Sequence, residues 1–214
     1  MKLLWSVFGL MLSGLVHSSY AQTSPAPEKD FHPGSILLPD STLINGLIKR
    51  TNQFRGDIWF KQTWTDKARK YRPSELRQYQ VDTLLFRTLL DVPVFGKKVA
   101  TGKTSLEKEL FGQVITDGKI KVYLAVVGGY DVLSESRMFI HYIFQKDSAG
   151  TVIFKPLPVM VRMSDKYYFQ AIRDLSTMFD EYPQIQEYLA KWKRPDFGDH
   201  DPYSDLISLV REIN

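Results

Sequence analysis

Beyond residue 21 the chain keeps three histidines, His32, His141 and His200, and it has no cysteine at all. Thiol nucleophiles are therefore excluded. No Gly-x-Ser-x-Gly elbow and no His-Glu-x-x-His pair is present either, which removes the commonest hydrolase signatures. Triads are defined by geometry and can escape a linear search. His141, between Ile140 and Tyr142 in an apolar run, is the one histidine candidate for catalysis. In that setting an imidazole more often serves as a hydrogen-bonded core residue than as a base.

The densest polar cluster is Asp196-Phe197-Gly198-Asp199-His200-Asp201. Carboxylates interrupted by a glycine suit a hard cation such as Ca²⁺, which takes about six to eight oxygens. Asp196, Asp199 and Asp201 are the candidate ligands. The bidentate glutamate that closes a calcium-binding hand is missing, and Pro202 constrains the exit. Asp-Pro and Phe-Gly are also ordinary loop pairs, so the stretch reads as a solvated interhelical loop first. No cofactor is expected, with Ca²⁺ the one ion the loop would accommodate.

Gly102-Lys103-Thr104 ends like a phosphate loop, yet the glycine such a loop needs falls at Gly96, one residue too early. The stretch reads instead as a basic hairpin tip, with Lys97, Lys98 and Lys103 as candidate contacts for an anionic surface. Charge is uneven: residues 22–103 hold 14 Lys and Arg against 8 Asp and Glu, and residues 104–214 hold 13 against 16. The basic half, and residues 67–77 within it, would meet lipid headgroups or acidic glycans. Trp59, Trp64, Tyr71, Tyr79, Tyr167 and Tyr168 either stack on a sugar or peptide or complete the core.

These residues need a scaffold. Arg137 to Val161 reads as two strands joined at Lys146–Gly150, with apolar residues on both faces of the first strand, so both faces should be covered. Short strands at 47–50, 56–61, 78–81 and 83–90 make an antiparallel meander, with Asn45-Gly46 as a turn. Thr104 with Glu107 has capping-box spacing, and Leu106, Leu110, Phe111, Val114 and Ile115 form a helical stripe, so a helix is expected there. Lys119 to Val127 returns as a strand. Ser164 should cap a helix to Asp180, followed by helices around Ile185–Trp192 and from Ser204 onward. The fold class is α+β: an antiparallel meander of about six to nine strands, one inserted helix and three C-terminal helices packed on it.

Met1-Lys2, the apolar run to Val16 and Ser19-Tyr20-Ala21 form a signal-peptide pattern, so residues 1–21 are expected to be removed on export. Residues 22–43 read as a flexible lead-in and 44–214 as a single domain. No later stretch is long and apolar enough to span a bilayer, and the alternation of a membrane barrel is missing. No nucleic-acid motif is present.

The order GDIWF, YRPSEL and SLEKELFGQV, with the ending MFDEYPQIQEYLAKW and DLISLVREIN, resembles uncharacterised exported proteins of the Bacteroidetes over most of residues 56–214. That resemblance implies export and lends no catalytic residue. The expectation is a non-enzymatic binding or structural module, periplasmic or extracellular, that meets a protein or glycan of the cell envelope. The alternative is an envelope- or glycan-directed hydrolase or lyase using a carboxylate/histidine site near His141 or Asp199 to Asp201.

Overall fold

The structure, a computed structural model, describes residues 30–50, 56–95, 102–130, 136–148, 150–158, 163–194 and 203–214. The expected leader at 1–21 lies outside them.

The hairpin read at Arg137 to Val161 is present. Strand β9 (Ser136–Ser148) pairs antiparallel with β10 (Thr151–Pro158) across a turn at Gly150. On its other side β9 pairs with β8 (Ile120–Tyr130), and β8 with β7 (Ser105–Thr116). Next come β6 (Leu84–Val94) and β5 (Gln78–Val81). Beyond β5 lie β1 (His32–Leu37), β2 (Leu43–Arg50), β3 (Ile58–Lys61) and β4 (Arg69–Tyr71). All ten form one antiparallel sheet in the order β10-β9-β8-β7-β6-β5-β1-β2-β3-β4.

Three expectations give way. The inserted helix is strand β7, because β6 and β8 offer unpaired backbone on both flanks and tertiary pairing overrides a weak local pattern. Leu110 and Phe111 are both buried but enter different cores, as strand neighbours must. Gly112 sits against Leu89 and Tyr123, where a Cβ would come within 2.8 Å of each. Asn45-Gly46 is mid-strand rather than a turn. Gly46 is needed because a Cβ there would approach the Phe60 ring at 2.7 Å and the Lys61 carbonyl at 2.4 Å. The lead-in expected over 22–43 contains β1, which fills the gap between β2 and β5.

The sheet curls toward opposite faces in its two halves. In the C-terminal half β10 comes round beside β6. Leu89, Val92 and Val94 of β6 then meet Leu110, Tyr123, Ala125, Val127 and Ile143 inside the curl. Leu89 and Val92 share this interior although they are three residues apart. Between them Asp91 takes a φ of 51°, which turns the strand over. In the N-terminal half the segment after β4 crosses the opposite face of β6. Its turn Pro73–Glu75 is held there by the Thr88 hydroxyl, which donates to the Pro73 and Leu76 carbonyls at 2.8 and 2.6 Å. Ile36, Ile48, Ile58, Phe60, Tyr71, Tyr79, Phe86 and Phe111 fill that second core.

Three C-terminal helices cover the outer face of β8 and β9: α1 (Asp165–Ser176), α2 (Pro183–Ala190) and α3 (Ser204–Glu212). α1 stops at Ser176, short of the expected Asp180, and continues as a 3₁₀ turn, Thr177–Phe179. Ser164 stands at the N-cap of α1 without a side-chain capping bond, and Tyr203, not the expected Ser204, stands at the N-cap of α3. Tyr168, Ile172, Leu175, Phe179, Ile185, Leu206 and Val210 meet Ile120, Val122, Tyr142 and Phe144 in the largest core. Beneath α3, Asn214 behaves like a short strand. Its Oδ1 accepts from the Ile120 N–H at 3.0 Å, and its Nδ2 donates to the Ile120 carbonyl at 2.7 Å.

A candidate ligand cleft on the sheet

His141 is fully buried inside the C-terminal curl. Its Nε2 accepts from the Phe95 N–H at 3.1 Å and so ties β9 to the end of β6 across the interior. With Nε2 accepting, the neutral ring carries its proton on Nδ1, which makes no well-formed hydrogen bond among the described residues. Burial pushes its pKa down to about 4, against smaller opposing pulls from the backbone of Phe139 and Phe95. It is a neutral interior brace, with none of its surface exposed. No group of three or more metal-ligating side chains is found among the described residues. Asp196, Asp199, His200 and Asp201, and Lys97 and Lys98, lie outside those residues. Lys103 is exposed.

The basic stretch 67–77 is partly neutralised where it stands: Arg69 pairs with Glu75 at 3.2 Å and Lys70 with Asp57 at 2.6 Å. Of the singled-out aromatics, Tyr71, Tyr79 and Tyr168 are core residues, whereas Trp64 is 40% exposed. Tyr168 belongs to a polar seam in the largest core. Its hydroxyl accepts from the Trp192 indole N–H at 3.1 Å and lies 3.2 Å from the Tyr203 hydroxyl. Burial raises the pKa of both tyrosines, so both stay protonated.

The concavity that joins the two halves lies on the outer face of β6, β7 and β8, where the N-terminal core ends and the helix layer has not begun. It holds about 350 Å³, within the range of small-ligand sites. Tyr79 stacks on Phe86, centroids 4.5 Å apart, and meets Phe111 edge-on at 4.7 Å. Gln113, Leu124 and Val126 continue the floor along β7 and β8, and Asp57 and Ile58 form a wall. At the mouth the Arg50 guanidinium lies 4.7 Å over the Phe86 ring, beside Tyr79. Burial nevertheless raises the Tyr79 pKa, so the phenol stays neutral.

A second hollow, about 290 Å³, opens between Pro93, Phe154, Tyr167 and Gln170 beside Gly102. Two of its polar side chains engage each other, Gln170 donating to Asp174 at 2.8 Å. Sequence reasoning named Tyr79 but missed Arg50, Phe86, Phe111 and Val126 as one site. The available signal was the stripe Ile120, Val122, Leu124, Val126: its first two members are buried, whereas Val126 is 37% exposed.

The architecture defines a class, an α+β chain built on a doubly curled antiparallel sheet with a helical layer on part of one face. Set against protein-family models, curated proteins and solved structures, the chain matches none of them. No helix among the described residues is long and apolar enough to cross a membrane.

Proposed function

We propose that this protein is an exported binding module, periplasmic or extracellular, that holds a ligand of the cell envelope or its surroundings on the sheet surface. The observation that carries this reading is the cleft over Tyr79, Phe86 and Phe111: an apolar floor with a few polar groups at its rim, the composition of a ligand site. The signal-peptide pattern and the resemblance to exported Bacteroidetes proteins support the location. A buried, neutral His141 with no carboxylate partner among the described residues favours binding over acid–base chemistry.

The test is a thermal-shift screen of the purified protein against amphiphiles, peptides, envelope glycans and Ca²⁺, run in parallel on Val126→Trp, which fills the cleft. A ligand at about 100 times its Kd adds roughly 2.7 kcal/mol. We expect at least one compound to raise the melting temperature of the wild type and to lose that effect in Val126→Trp. Shifts that persist in the variant would move the site elsewhere. Turnover of chromogenic glycosides or esters would establish the hydrolase or lyase alternative instead.

A further inference from the structure

We infer that the cleft takes an apolar chain ending in a single carboxylate, the chemistry of a medium-chain fatty acid. This inference rests on the binding-module reading and names its ligand class. The head group follows from charge. Among the described residues Arg50 is the cation at the mouth, exposed, with one face of its guanidinium 4.7 Å over the Phe86 ring. A guanidinium anchored in this way offers a planar fork that matches a carboxylate with two parallel hydrogen bonds. The neighbouring cation, Lys70, is already neutralised by Asp57 at 2.6 Å. A monoanion therefore balances the site, whereas a doubly charged phosphate would leave surplus negative charge beside Asp57.

The tail follows from the floor. Leu124 and Val126 supply exposed aliphatic surface over the buried Phe111, and Gln113 is the one polar side chain beside them on β7 and β8. A sugar of this size would need several hydrogen-bond partners and would bury hydroxyls unpaired. An alkyl chain asks for none and gains from covering Val126.

Titration calorimetry with decanoate, decanol and decyltrimethylammonium tests the assignment on the whole protein and on Arg50→Gln, Arg50→Lys and Val126→Trp. Decanoate is expected to bind the wild type about tenfold or more tightly than the other two probes, as one charge-assisted contact implies. Arg50→Gln should erase that preference, and Arg50→Lys should keep part of it. Val126→Trp should abolish binding. Equal affinity for the three probes would overturn the carboxylate assignment and leave the cleft as a binding site. Decanoate binding unchanged in Val126→Trp would overturn the assignment and move the module's site away from the cleft. Binding by none of the probes would overturn the ligand class alone, leaving the wider screen to judge the module.

Discussion

The two halves of the sheet solve the same problem differently. In the C-terminal half both faces of β9 and of the first part of β8 are covered, one by the curl of the sheet and the other by α1, α2 and α3. In the N-terminal half the sheet is its own cover: β3 and the turn after β4 fold over β5, β6 and β7 to close a core of sheet against sheet. Where one kind of cover hands over to the other, part of β7 and β8 is left with neither. Phe111, Leu124 and Val126 stand at that handover, and the cleft is its result. A sheet that reverses its curvature opens a concave site without any loop being added to build one.

The comparison is broken most directly from the helix side. Phe179 is fully buried and meets Phe144 edge-on with centroids 6.1 Å apart. Phe179→Ala should cost about 3–5 kcal/mol, measured by urea unfolding. Because β7 serves both sides, with Ile115 against the helix-side core and Phe111 in the N-terminal core, the loss should appear in one cooperative transition. Two separate transitions would mean that the halves are independent units.

Acid tests the interior of the C-terminal curl. The folded pKa of His141, about 4, lies below the unfolded value of about 6.5. Between these values the unfolded chain binds more protons, so stability is greatest above pH 6.5 and falls as pH drops toward 4. The full loss from this group is about 3 kcal/mol, and it levels off below pH 4. His141→Leu should remove that slope. It should also lower stability by about 1–3 kcal/mol at neutral pH, because the Phe95 N–H loses its acceptor. Unfolding free energies at a series of pH values decide it.

The smallest effect sharpens how the helix layer holds the sheet. Asn214→Ala removes the paired bonds to Ile120, and about 1–2 kcal/mol should follow. Hydrogen exchange at the Ile120 amide should quicken, while the Ile48 amide in the N-terminal core should be unchanged.

Much of the scaffold is legible in the residues. The β9–β10 hairpin, the β8 strand and the three C-terminal helices follow from alternation and helical stripes, and the α+β class follows from their order. Strand β7 was hidden because Leu106, Leu110 and Ile115 imitate a helical stripe. In the folded chain Leu106 is 66% exposed and Leu110 is buried, a division that only the neighbouring strands decide. The turning-over of β6 at Asp91, a non-glycine residue with positive φ, is not marked by a glycine in the sequence. The cleft was illegible for the same reason: it depends on where cover is missing, which is a property of the assembled sheet rather than of any segment.

The strand order also carries a history. Every strand pairing but one joins consecutive strands, and hairpins of that kind zip on the microsecond scale. The exception is β1 with β5, which closes only after the whole excursion through β2, β3 and β4 has been made. That single long-range closure comes late, since loop entropy is lost before the contact is gained. The kinetic signature is a folding transition state in which β1 is still loose, with low φ-values at Ile36 and high ones in the β8–β9 hairpin. The chain would thus complete its C-terminal curl first, and the cleft would be the last surface to exist.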